Sequence, residues 1–391
     1  MKKSYLILKI FAFLFCLSAL TNAQNNTGIS QNTPGTKSFN VKKGGTLNVS
    51  ITSGDVRVTT WNKNEVNIKI DSNDKEDINS IKATLDGNTV TVKNNYSNSW
   101  GWSGDISLRI SIPSDFNTEI HTQSGDVRQT GSLQGTTNIF TAGGDIRVGD
   151  VSGKTILKSN GGDITTGNIG NELILSTNGG DVRTGTVSGK TNISTMGGSI
   201  NVSKAGEDLH AQTMGGDINI GNVEGTVDLK TMGGSIGLGK VSGNVTMNTY
   251  GGDLSLSGAT GDVEATTFGG SIRLNNITGS VNADTKSGDV YVELNPSGNG
   301  SSKIKSLNGN VVLYLQANAK VNIMATVLAR HYDRYNENEL MNLIHSDFES
   351  KNLLTDDRRG DKIVAKYSIN GGGSYNIEIY TVNGSIKIKK K

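Results

Sequence analysis

The stretch that decides the fold is Gly215-Gly-Asp-Ile-Asn-Ile-Gly-Asn-Val-Glu-Gly-Thr-Val-Asp-Leu-Lys-Thr-Met232, followed at once by Gly233-Gly-Ser-Ile-Gly-Leu-Gly-Lys-Val-Ser-Gly-Asn-Val-Thr-Met-Asn-Thr-Tyr250. The two segments align position for position over 18 residues. Outward in both directions, the tetrad Gly-Gly-Asp/Ser-Ile/Val/Leu begins at Gly143, Gly161, Gly179, Gly197, Gly215, Gly233, Gly251 and Gly269. Variants extend the series: Ser124-Gly-Asp-Val before it, then Ser287-Gly-Asp-Val, Asn308-Gly-Asn-Val and Asn383-Gly-Ser-Ile after it. A further copy, Ser53-Gly-Asp-Val, lies near the N-terminus. Eight copies without an insertion or deletion define a repeat architecture.

The columns of the repeat say which kind. With the first Gly as column 1, columns 4 and 6 are apolar or Thr, as in Ile146 and Val148 or Ile236 and Leu238. Column 9 is apolar in Val151, Ile169, Val223 and Val241, and column 11 is Gly at Gly153, Gly189, Gly225, Gly243, Gly261 and Gly279. Columns 13, 15 and 17 then alternate inward, as in Val245, Met247 and Thr249. Alternation over short runs is the signature of strands, and the paired glycine positions mark corners that need a positive φ or close backbone packing. One such coil cannot bury its own inner face, so coils must stack. The fold class is all-β, a β-solenoid with 18-residue coils. At roughly 4.8 Å per coil, the regular array spans about 38 Å.

The flanks depart from the period. Residues 1–23 have the layout of a secretory signal peptide: Lys2 and Lys3, an apolar run from Tyr5 to Leu20, and Thr21-Asn22-Ala23 as a cleavage site. Cys16 follows Phe15 inside that run, a poor context for lipidation. Residues 24–36 are polar and expected to be disordered, and 37–123 read as an irregular N-terminal β cap. The repeats occupy 124–325. Residues 326–361 break the pattern, with Leu340, Leu343, Ile344 and Phe348 at helical spacing, so a short helical insertion is expected between Glu337 and Phe348. Closing strands and a lysine-rich, solvated tail fill 362–391.

Composition narrows the function classes. Glycine makes up 51 of 391 residues and proline 3, which excludes collagen-like and polyproline architectures. The single Cys16 falls in the leader, leaving the mature chain without thiol or disulfide chemistry. The chain carries 38 Lys+Arg and 36 Asp+Glu, and loss of the leader removes three lysines, leaving acids one ahead. A near-neutral chain of interspersed charges has no electrostatic footprint for nucleic acid. No span beyond the leader is long enough to cross a membrane as a helix.

Several segments together resemble a known family. They are Phe39 to Val58, Trp61-Asn-Lys-Asn-Glu-Val-Asn-Ile, Ile112 to Val127, the repeat array, and the closing Gly371-Gly-Gly through Val382-Asn-Gly-Ser-Ile. Over residues 39–390 the chain is similar to the β-strand-repeat proteins of the bacterial envelope known as putative adhesins, a domain family of unknown function. The resemblance implies the solenoid architecture and an envelope setting. It brings no catalytic residues and no cofactor.

Three side-chain columns are candidate sites. Column 3 reads Asp126, Asp145, Asp163, Asp181, Ser199, Asp217, Ser235, Asp253, Ser271, Asp289. A carboxylate ladder could hold calcium, but the spacing differs from the calcium-binding β-roll and the Ser alternation dilutes the charge, so corner capping is favoured. Arg57, Arg128, Arg147, Arg183 and Arg273 stand two residues further on, so Asp126/Arg128, Asp145/Arg147 and Asp181/Arg183 share an outer face as a charge ladder. Column 18 reads Asn160, Asn178, Met196, Met214, Met232, Tyr250, Phe268, Lys286. If column 17 points in, this is an apolar stripe. Its readings are a surface covered by the 326–361 insertion, corner packing, or contact with a glycan or an envelope or surface protein.

Catalytic patterns are missing: His121, His210, His331 and His345 are scattered, and there is no nucleophile elbow or phosphate loop. Trp61, Trp100 and Trp102 lie in the cap, where packing is a simpler role than sugar stacking. The reading is a non-catalytic, exported adhesin or scaffold acting through repetitive side-chain ladders, in the periplasm, at the outer membrane surface or outside the cell. The alternatives are a carbohydrate-active enzyme using the outer Asp/Arg cluster and a periplasmic partner-binding accessory protein.

Overall fold

The computed structural model describes residues 35–94, 106–329, 342–349, 352–355 and 362–391. The leader, Trp100 and Trp102, His331 and Leu340 lie outside the described residues. In a representative coil, Ile218, Ile220 and Val223 point inward from one strand and Val227 and Leu229 from the next, all at most 5% exposed. Each such side chain contributes about 1.5–3 kcal/mol when buried, but only the coils on either side can bury it. Each strand of the array therefore pairs in parallel with its counterpart one coil on, as in Ile218↔Ile236 and Val227↔Val245. Two long, largely parallel sheets result, facing each other across one continuous core.

The offset between paired residues is 18 from Ile146↔Ile164 to Ile272↔Val290. It rises to 21 at Val290↔Val311, where the extra residues lie between the strands ending at Leu294 and beginning at Ser301.

The two glycines of the tetrad are not equivalent. A Cβ on Gly215 would lie 3.3 Å from the Gly197 carbonyl oxygen, whereas one on Gly216 would lie closer than 3.0 Å to the Gly198 carbonyl. The same close approach recurs at Gly144, Gly180, Gly252 and Gly288. Positive φ occurs at Gly54 and Gly125 but at no glycine from Gly143 to Gly288. Column 2 is glycine because backbones meet there, not because the chain turns left-handed.

The ends differ from the expected irregular caps: they are coils of the same kind taken out of chain order. Thr46–Ser53 and Asp55–Trp61 lie between Thr89–Asn94 with Ser107–Pro113 on one side and Asn117–Ser124 with Val127–Thr130 on the other. At the far end, Tyr375–Val382 and Ile386–Lys390 slot between Ser301–Ser306 with Val311–Leu315 and Val321–Leu328 with Ile344–Ser346. The column-2 glycine ladder thus runs without a break from Gly54 to Gly125, through the array, and from Gly309 to Gly384. Antiparallel strands finish both ends: Ile81–Asp86 and Glu65–Asp71 on one, Lys362–Ile369 and Asn352–Thr355 on the other.

Three expectations need correction. Ile344–Ser346 is a strand, because it completes the sheet beside Ile386–Ile388. The one helix among the described residues is Lys75–Ser80, capped by Asp74, whose carboxylate accepts the Glu76 N–H at 2.8 Å. The lysine-rich tail is mostly strand, Ile386–Lys390, inside a sheet. Thr36 opens a strand, Thr36–Asn40, paired with Glu65–Asp71.

Candidate interaction surface

Column 17 fixes the surface. Thr177, Thr195, Thr213, Thr231, Thr249 and Thr267 are all at most 5% exposed. Each hydroxyl donates to the column-2 glycine carbonyl of its own coil, as Thr213 to Gly198 at 2.8 Å and Thr249 to Gly234 at 2.8 Å. The next residue must then point out. The backbone at that corner is tied from coil to coil: the Met214 N–H donates to the Met196 carbonyl and the Tyr250 N–H to the Met232 carbonyl, both at 3.2 Å.

Met196, Met214, Met232, Tyr250 and Phe268 consequently form a ridge along the axis, each 49–61% exposed. The Tyr250 and Phe268 rings stack on each other, centroids 5.3 Å apart and planes 12° from parallel, and the Lys286 ammonium lies 5.6 Å from the Phe268 ring centre. Beside the ridge runs a groove of about 600 Å³, with Thr side chains as floor and Ser194, Gln212, Lys230 and Asn248 on the opposite, polar wall. One of the expected readings for this stripe fails. It is not corner packing, since it is half exposed, and the described part of the insertion does not cover it. Phe348 instead packs into the core at the far end, with Lys390 over its ring at 5.0 Å, and Ile344 pairs with Ile386.

The column-3 acids serve the backbone. Asp126 accepts the Asp145 N–H, Asp145 that of Asp163, and Asp163 that of Asp181, at 2.8–2.9 Å. Ser199 and Ser235 do the same through hydroxyls for Asp217 and Asp253. Similar rungs stand at two other corners, for example Asp150 to the Asn168 N–H and Asp208 to the Thr226 N–H. The outer ladder is partly assembled: Arg147 pairs with Asp145 at 2.9 Å and Arg183 with Asp181 at 2.8 Å, both exposed. The Asp126/Arg128 pair is not among the ion pairs of the described residues, and Arg128 instead stacks in register between Arg57 and Arg147.

Sequence reasoning missed a small cluster on the other sheet. Asp228 accepts from Lys230 at 2.9 Å and lies 3.1 Å from His210 Nδ1. Columns 14 and 16 held the signal, since residues two apart share a face and the 18-residue register places His210 beside Asp228. On the first sheet's side, a 2.6 Å hydrogen bond from Lys204 holds the Glu224 carboxyl below its usual range. Trp61 has a packing role, its ring N–H donating to the Glu65 carbonyl at 2.8 Å. Among the described residues no helix is long and apolar enough to cross a membrane.

Comparison with known proteins places the chain. No curated protein matches it. Among solved structures it is similar to a putative adhesin from Bacteroides fragilis, at 16% identity over 66% of this chain and 95% of that one, TM-score 0.26. It is also similar to a putative cell adhesion protein from Clostridium sporogenes, at 11% identity over 92% and 100%, TM-score 0.17. The family model for Toastrack DUF4097 matches residues 45–236 and 207–328, the whole repeat array with most of the interleaved N-terminal coils. The chain belongs to the Toastrack DUF4097 family.

Proposed function

We propose that the protein is an exported, non-catalytic rod of the cell envelope or surface, adhesin-like, whose working face is the ridge from Met196 to Phe268. The observation that carries the reading is the ridge itself: five half-exposed apolar side chains in a row, on a corner whose backbone is hydrogen-bonded from coil to coil. Contiguous exposed apolar surface of this kind marks contact sites, and a stiff repeat adds weak contacts through multivalency. The ring faces of Tyr250 and Phe268 are turned to each other, which favours a protein partner over a sugar stacked on those faces. The enzyme alternative is weaker, because Asp145 and Asp181 each support a backbone N–H and hold an arginine.

Protease treatment of intact and lysed cells tests the setting. Digestion on intact cells, together with loss of cell attachment in Met214→Asp/Tyr250→Asp, is the expected result. Protection until lysis would sink the surface-adhesin reading in favour of a periplasmic partner-binding role.

A further inference from the structure

The order of side chains along the ridge carries more than its apolarity. It reads Met196, Met214, Met232, Tyr250, Phe268, with Met232 at the centre. A two-fold axis lying in the contact plane at the level of Met232, perpendicular to the ridge, sets Met214 of one copy against Tyr250 of another, and Met196 against Phe268. Every ring then meets a methionine, whereas a parallel arrangement sets like against like. Thioether sulfur contacts aromatic rings favourably, often at the ring edge. The Tyr250–Phe268 stack leaves the ring edges outward, since the rings turn a face to each other and Lys286 lies over Phe268.

Resting on the reading of the ridge as a contact face, we infer that its occupant is a second copy of this chain, docked antiparallel with ridge against ridge. Pitch supports this choice. The ridge repeats every ~4.8 Å, a step that another solenoid keeps over all five coils, while an extended peptide advances by about 3.3 Å per residue and falls out of step. A two-fold contact of one patch with itself is the commonest form of homo-oligomer. The polar wall does not oppose it: Lys230, the charge nearest the axis, is held by Asp228 at 2.9 Å.

The area sets the strength. Five half-exposed side chains of this size offer roughly 500 Å² per copy, about 1,000 Å² for the pair, the lower bound for a specific interface. The dimer is therefore concentration-dependent.

Sedimentation equilibrium of the full chain across a concentration series tests the inference. The expected result is a monomer–dimer equilibrium whose dissociation constant rises at least about tenfold in Met232→Asp, with circular dichroism and melting unchanged. In a Cys16→Ser background, Met196→Cys mixed with Phe268→Cys should form a disulfide-linked dimer on oxidation, and Met196→Cys alone should not. A chain that stays monomeric at every concentration, a dimer indifferent to Met232→Asp, or cross-linking of Met196→Cys with itself alone would each overturn the pairing. A monomer whose ridge variants still lose cell attachment would overturn it while leaving the contact-face reading in place.

Discussion

The hydroxyl of Thr231 donates to the Gly216 carbonyl at 2.9 Å and accepts the Gly234 N–H at 3.3 Å. One buried side chain thus satisfies both a carbonyl and an N–H at the point where consecutive coils approach most closely. Thr231→Val keeps the shape and removes the hydroxyl, leaving both groups without it. The expected loss is about 1–3 kcal/mol of unfolding free energy, while Thr231→Ser keeps most of the stability. Paired denaturant titrations check this, and equal losses in the two variants would show that the methyl matters rather than the hydroxyl.

Neighbouring glycines should respond differently to the same methyl group. At Gly215 the added Cβ sits 3.3 Å from the Gly197 carbonyl oxygen, a contact that a small backbone shift relieves. At Gly216 it meets the backbone of the coil below, which is itself fixed by the sheet on that side. Gly216→Ala is expected to cost several times more than Gly215→Ala, in the range of about 1–3 kcal/mol for overpacking or beyond. Melting curves of the two variants decide it, and equal shifts would mean that the coils can separate locally.

The column-3 acids are predicted to act as acceptors and not as charges. Asp217 accepts the Ser235 N–H at 2.8 Å. Asp217→Asn retains an acceptor and should be nearly neutral, whereas Asp217→Ala should cost on the order of 1 kcal/mol. The same reasoning predicts that calcium leaves the melting temperature unchanged, since one oxygen of each acid is already committed to the next coil. A calcium-dependent rise in melting temperature would mean that the remaining oxygens gather a cation.

The repeat was legible in the sequence because its contacts are local in register. A residue and its partner are always 18 apart, so columns in the text become columns in space, and the outward turn of Met196 to Phe268 followed from the inward Thr before each. The ends were not legible. Val56 pairs with Val127, and Val311 with Ile386, across more than 70 residues with no period to announce the join. The four matching tetrads were visible, but nothing local says that the later segment slides in beside the earlier one. Ile344 was misread for a related reason: its spacing from Leu340, Leu343 and Phe348 suits a helix, while the unpaired edge of the Ile386–Lys390 strand offers a ladder of backbone hydrogen bonds instead. The role of column 2 was open between positive φ and close approach, and only the separation between coils distinguishes them.

The interleaved C-terminal coil carries a last prediction. Tyr375–Val382 supplies a partner to Ser301–Ser306 on one side and to Val321–Leu328 on the other, and the Tyr375 hydroxyl reaches Ser302 at 2.7 Å in the core. A chain ending before Tyr375 would leave the last regular coil with both sheet edges open and Val311, Leu313 and Ile304 uncovered, all fully buried in the intact protein. Open edges of long parallel sheets recruit other chains, so the truncated protein should keep its strand signal in circular dichroism yet scatter light increasingly with time. Removing only Lys389, Lys390 and Lys391 should not have that effect, because Ile386 and Ile388 still cover the edge. If both truncations stay clear, the antiparallel strand Lys362–Ile369 is sufficient to close the stack without the coil beneath it.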